Sequence, residues 1–220
     1  MNKMKSFPLL LTAIVTLSAL TSATKVYAGE SEDNRGDKTV MLTAQLAGYG
    51  PSAASTMGLN LGYYVNPNAV ILIEGMKNMY SDDLGQPEFN NIKFDSRDSS
   101  KGQSYGVHMK LFLGNSFYVR GGVDHREFSY RYNDAANGNS SGFDSTSLAL
   151  SGAIGNQWQW TNFTMGCDWI GIVRPISTTF TNEYVTGASQ ATAQSKFREQ
   201  RDLVRGREPI LLRFYVGASF

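Results

Sequence analysis

The chain has 220 residues, 18% charged and 41% hydrophobic, with 22 glycines and only 6 prolines, which excludes a disordered or collagen-like polymer. Its 20 basic and 19 acidic residues give a formal net charge of +1 and form no basic stripe, so no nucleic-acid partner is expected. One cysteine, Cys167, and two histidines, His108 and His125, exclude a disulfide framework and a Cys-based zinc site, and no metal or cofactor is expected.

Residues 1–28 read as a cleaved secretory signal. Lys3 and Lys5 supply the positive start, Phe7 to Leu20 the apolar run, and Val26-Tyr27-Ala28 the small-residue end. The run is interrupted by Pro8, Thr12, Thr16 and Ser18 and falls short of the roughly 20 apolar residues a membrane helix needs. No cysteine follows it to take a lipid anchor. Three of the 20 basic residues, Lys3, Lys5 and Lys25, leave with it, so 17 remain against 19 acidic ones.

A polar leader over 29–37 follows. Over 38–220 the chain breaks into eight stretches in which apolar side chains recur at every second position, the period of a strand. The first sets Val40, Leu42 and Ala44 against Met41, Thr43 and Gln45, and the second sets Leu59, Leu61 and Tyr63 against Asn60, Gly62 and Tyr64. The third sets Ile71 and Ile73 against Leu72 and Glu74, and the fourth sets Tyr105, Val107 and Met109 against Gly106, His108 and Lys110. In the fifth, Phe117, Val119 and Val123 oppose Tyr118, Arg120, Asp124 and Arg126; in the sixth, Leu148, Leu150 and Ile154 oppose Ser147, Ala149 and Ser151. The seventh has Phe163, Met165, Cys167, Trp169 and Val173 against Thr164, Gly166 and Asp168. The eighth has Ile210, Leu212, Phe214, Val216, Ala218 and Phe220 against Arg213, Tyr215, Gly217 and Ser219. Short turns near 66–68, 114–116 and 158–161 alternate with long polar joins near 81–102, 133–145 and 175–207, with a shorter one near 49–54.

Charge decides which face looks outward. The apolar faces carry no Asp, Glu, Lys or Arg within the spans, whereas Glu74, Lys110, Arg120, Asp124, Arg126, Asp168 and Arg213 lie on the small-polar faces. A soluble barrel would bury the apolar face, but its outside would then be unusually poor in charge. An apolar exterior around a polar interior predicts a closed antiparallel up-and-down transmembrane β-barrel of eight strands, all-β, crossing with strands of about 9–11 residues. Aromatics bracket the spans, with Tyr63, Phe117, Trp158, Trp160, Phe163 and Phe220 towards one interface and Tyr105 and Trp169 towards the other.

The signal segment, the alternation of short turns with long loops, and a last strand reading Leu211-Leu212-Arg213-Phe214-Tyr215-Val216-Gly217-Ala218-Ser219-Phe220 resemble the small outer-membrane β-barrel proteins of Gram-negative bacteria. The resemblance implies a location in the bacterial outer membrane, both chain ends on the periplasmic side and long loops outside. It also implies a barrel-assembly machinery that would recognise the last strand through Gly217 and Phe220.

For function the residues leave three readings. An eight-stranded barrel is filled by its own side chains, so the seven lumen charges are expected to pair as a polar network. That favours a structural or surface-interaction role carried by the loops, with a surface protein as candidate partner, over a narrow channel for small solutes or ions. A lipid-modifying enzyme is the remote reading. His125, Glu127 and Ser129 share an outward face, but residues four apart on a strand stand about 13 Å apart, too far for a serine to bond its histidine. Lys196, Arg198, Arg201, Arg205 and Arg207 outnumber the acids of the last loop and could contact lipopolysaccharide phosphates. Alternation continues through Phe128-Tyr130-Tyr132 and Ile176-Thr178-Phe180, so these strands could run on as hairpins with an edge open to a partner strand. Cys167, between Met165 and Trp169, is expected to face lipid as a small apolar residue.

Overall fold

A computed structural model describes residues 30–49, 57–77, 98–187 and 190–220. Eight strands follow one another antiparallel around a ring: β1 (Val40–Tyr49), β2 (Met57–Asn66), β3 (Ala69–Lys77), β4 (Asp98–Phe112), β5 (Phe117–Asp134), β6 (Asn139–Trp160), β7 (Phe163–Thr186) and β8 (Glu208–Ser219). The ring is closed by β1 against β8, from Met41↔Ser219 to Tyr49↔Leu211. A short helix, α1 (Glu30–Gly36), precedes β1, and a longer one, α2 (Gln190–Arg205), links β7 to β8. The signal segment 1–28 and the joins at 50–56 and 81–97 lie outside the described residues.

The wall is inside out relative to a soluble barrel. On β4, Val107 is 58% exposed and His108 is 3% exposed, so the apolar member of the pair faces away from the lumen and the polar one into it. Leu59, Ile73, Leu150 and Ile172 share the outward side, each between 44% and 62% exposed. On β5 the eight steps from Phe117 to His125 cover about 27 Å, which at the usual tilt spans close to 20 Å vertically, most of the roughly 25 Å apolar band of such a barrel. The outward apolar surface and closed ladder make this a transmembrane barrel.

The seam needs a glycine. Gly217 pairs with Thr43, and a Cβ at that position would run into the Leu42 carbonyl oxygen and the Thr43 Cα. Phe220, 64% exposed, adds its main chain: its carbonyl accepts from Thr39 N at 2.6 Å and Val40 N at 2.9 Å, and its N–H donates to Val40 O at 2.8 Å.

Residues 30–36 of the polar leader form α1, which docks on the barrel's short-turn end. Other expectations need correction. The join at 133–145 is no long loop: β5 runs to Asp134, β6 starts at Asn139, and a tight turn with Gly138 at φ 63° connects them. Residues 98–102 belong to β4, and within 175–207 the chain continues β7 to Thr186 and then forms α2. Finally, Val173 and Ile210 face inward, 7% and 6% exposed. Their strands change phase at one level, where Trp169 is an extra residue against β6 and Leu212 takes φ 48°, a left-handed conformation costly for leucine. Cys167 keeps the outward register, opposite Asn156 and Phe214, yet is only 1% exposed, so neighbours shield it from lipid.

Candidate functional site: the lumen and its two closures

At the short-turn end α1 stoppers the barrel. Arg35, 0% exposed, donates from Nε to Pro67 O at 2.8 Å and from Nη1 to Asn115 O at 2.7 Å, and its guanidinium lies 3.8 Å over the Phe112 ring. Burial lowers its pKa to about 10, so it stays charged at neutral pH. Asn115 Oδ1 accepts from Ser31 N and Glu32 N, and Asn34 Nδ2 donates to Gln159 O, which ties both ends of the helix to the wall. Above it Met41, Tyr64, Val70, Leu72, Phe112, Tyr118 and Tyr215 pack as an apolar and aromatic layer.

Lys110 roofs that layer, its Nζ 4.2 Å and 4.5 Å from the Tyr118 and Tyr215 ring centres, donating to Gln157 Oε1 at 2.9 Å and Tyr215 Oη at 3.0 Å. Next comes a quartet of alternating charge. Arg120 meets Glu74 at 2.8 Å and Asp168 at 3.3 Å; Arg213 meets the same two acids at 3.1 Å and 2.6 Å. Tyr118 Oη donates to Asp168 as well. Each guanidinium thus bridges both carboxylates, and β3, β5 and the adjacent pair β7 and β8 are tied together across the lumen.

Two further pairs continue upward, His108 Nε2 with Asp124 Oδ1 at 2.8 Å and Arg126 with Glu208 at 2.7 Å. With Glu208 included, four acids (Glu74, Asp124, Asp168, Glu208) face four cations (Lys110, Arg120, Arg126, Arg213) among the described lumen residues. The structure places all seven of the charges expected in the lumen there, in three groups: the quartet, joined to Lys110 through Tyr215 and Tyr118, the His108–Asp124 pair, and Arg126 with Glu208. Glu208 was not singled out because it stands next to Pro209 at the start of β8 and reads as loop. The void among these groups is about 20 Å3, room for roughly one water. Glu74, His108 and Asp124 bring ligand atoms within 4.8 Å of one another, but both Glu74 oxygens are held by arginines, whose charge opposes a cation there.

At the other end β5, β6 and β7 run on past the apolar belt and α2 lies across their lumen side. Phe143 is the hub, with ring centres of Phe180, Phe197, Tyr130 and Phe128 at 5.3, 5.6, 5.7 and 6.0 Å. Ala193, Phe197 and Val204 of α2 are buried in this cluster. Of the basic residues expected to meet lipopolysaccharide, Arg201 is instead paired with Glu183 at 3.1 Å and lies over Phe180 and Phe197, and Arg205 lies over Phe180. Both therefore seat the helix. Arg198 and Arg207 are exposed, and Lys196 is half-buried.

The outward trio does not form a triad. His125 Nε2 meets Glu127 Oε1 at 3.4 Å, whereas Ser129 Oγ donates to Asp144 at 2.7 Å, so the serine and the histidine belong to separate pairs. Hydrogen bonds from Gln103 and His125 hold the Glu127 carboxyl below its usual range. At Asp144 partial burial opposes the charge, but bonds from Asn182, Ser129 and Arg131 outweigh it and the pKa is lowered.

No family model matches the chain, and no curated protein does. Among solved structures it is similar to a major outer membrane protein from Thermus thermophilus, at 12% identity and a TM-score of 0.41, over 82% of this chain and 99% of that one. It is similar to the same degree to CarO2 from Acinetobacter baumannii, 12% identical with a TM-score of 0.41, over 83% of this chain and 99% of the other. The barrel and its inverted wall are established here by the strand pairing and side-chain exposure of the chain itself.

Proposed function

We propose that this chain is an integral outer-membrane β-barrel that passes no solute and acts at the cell surface, as a structural or interaction protein, through the superstructure of β5, β6, β7 and α2. The observation that carries the reading is the Glu74–Arg120–Asp168–Arg213 quartet, which crosses the lumen with neutralised charge and leaves about 20 Å3 beside it. A hydrated ion needs several times that space. Opening a path would separate buried ion pairs, at about 3–5 kcal/mol for each group stranded. With α1 on the periplasmic mouth and α2 above the other, three successive barriers lie along one axis.

The test is planar-bilayer recording on the purified mature protein. No steady open-channel conductance is expected, either from the native chain or after removal of 29–37. Steady conductance that changes with Asp168→Asn or Arg213→Gln would replace this reading with the conduit.

A further inference from the structure

An open pocket of about 320 Å3 lies on the outer wall of β3 to β6, where the apolar belt ends. The change of chemistry is read along four paired strands at once. Ile73, Val107, Val123 and Leu150 form one apolar rung; Gly75, Tyr105, His125 and Leu148 form the next. The rung after that is Lys77, Gln103, Glu127 and Thr146, followed by Lys101, Ser129 and Asp144. Successive outward residues rise about 6.6–7 Å along a strand, so Lys101 stands about 13 Å beyond Tyr105, at head-group distance from the hydrocarbon edge.

The acids in this shelf are hydrogen-bonded by groups other than Lys101. Glu127 accepts from Gln103 at 2.5 Å and meets His125, and Asp144 is held by Ser129, Arg131 and Asn182 at 2.6–2.7 Å. None of these bonds takes up Lys101, which is exposed. Lys77 is the diagonal neighbour of Lys101 across β3 and β4, with Cα atoms about 7–8 Å apart, so both ammonium groups can reach one anion. Directly below, Tyr105 and Val107 offer a wall for acyl chains.

The geometry points to a docking site for one phosphorylated lipid of the outer leaflet. Lys101 and Lys77 hold its phosphate, Gln103, Ser129 and Thr146 meet head-group hydroxyls, and the acyl chains descend over Tyr105 and Val107. The site rests on the transmembrane reading but not on whether the lumen conducts, and it is separate from the basic residues of α2.

Native mass spectrometry of the folded mature protein, titrated with lipid A and with dephosphorylated lipid A, tests it. Lys101→Gln should weaken lipid A binding about tenfold, the usual effect of one charge-assisted bond, and leave the dephosphorylated form unaffected. Lys77→Gln should weaken it as well and serves if the first variant does not fold; Arg198→Gln should not. Inorganic phosphate in large excess should fail to displace lipid A. The proposal is overturned if both lysine variants bind like the native chain, if the phosphate makes no difference, if inorganic phosphate competes, or if Arg198→Gln alone weakens binding. A conducting barrel would overturn the proposed function and leave this result untouched.

Discussion

The two halves of β5 are built from opposite rules. In the lower half the residues facing inward are Arg120, Asp124 and Arg126 and the residues facing outward include Val123; in the upper half Tyr130 and Tyr132 are the inward ones and Glu127, Ser129 and Arg131 face out. The strand continues without a break in register against β6 from Phe117↔Asn156 to Asp134↔Asn139, so the backbone does not turn over. What changes is the surrounding solvent. Lipid makes an apolar exterior favourable and leaves polarity to the lumen; water beyond it restores the ordinary arrangement, with an aromatic core under α2 and charges outside. The crossover between residues 126 and 128 marks the edge of the membrane on this strand.

The comparison breaks most sharply at the quartet. Glu74→Gln leaves Arg120 and Arg213 to share Asp168 and should cost about 3–5 kcal/mol in denaturant unfolding of the vesicle-inserted barrel. Replacing Glu74 and Arg213 together by leucine should cost less than the sum of the single changes, because no charge is then stranded; additive losses would mean that the pairs do not interact. In the upper region Phe143→Ala should remove about 3–5 kcal/mol of packing, but locally. Cleavage of α2 by added protease should rise while the heat-modifiable gel mobility of the barrel persists. Loss of both together would show that the two regions fold as one unit.

An arginine scan sharpens the boundary. At Val123 it should cost about 2–4 kcal/mol if that position lies near the bilayer midplane, and at Ser129, outward on the same strand, less than about 1 kcal/mol. Equal costs would remove the crossover. The smallest effect concerns pH. The folded pKa of Asp144 lies below its unfolded value, so the stability it lends the hairpin is present above the unfolded carboxylate pKa, about 3.9, and is lost as pH falls through the folded one. As a partly exposed group it should contribute no more than about 1 kcal/mol. Relative to the intrinsic rate, which itself slows in acid, the protection of amides in 139–146 should fall at acid pH in the native chain, and this acid-dependent loss of protection should vanish in Asp144→Asn.

The membrane section was largely legible because a period of two, with every charge on one phase, has only one inside-out solution in a closed sheet. The seven lumen charges could be assigned to the interior on that ground, but their pairing could not, since partners come from β3, β5, β7 and β8 and depend on barrel stagger. In the upper section the continuation of the strand through Phe128-Tyr130-Tyr132 was legible, whereas the long join expected at 133–145 and the burial of these aromatics under α2 were not. Phe128-Tyr130-Tyr132 keeps the strand period but moves the apolar residues from odd to even positions, a phase change that signals a change of solvent and not the end of a strand. Val173 and Ile210 were misplaced because the bulge at Trp169 and the left-handed Leu212 each shift phase within an apolar run, where hydrophobicity carries no mark of it. The helix α1 was missed for its length of seven residues, although the buried Arg35 shows that it is anchored and not incidental.

The inside-out wall is tested most directly by labelling single cysteines in a Cys167→Ser background, with the protein in vesicles. At Met109 and Leu150 a membrane-confined maleimide should react and a water-soluble one should not, while at Thr146, one outward step above the belt on the same strand as Leu148, the water-soluble reagent should react. Water-soluble labelling at Met109 and Leu150 in the folded barrel would contradict the account, because those side chains would then face water and the charges of Arg120, Glu74, Asp168 and Arg213 would have no reason to be inside.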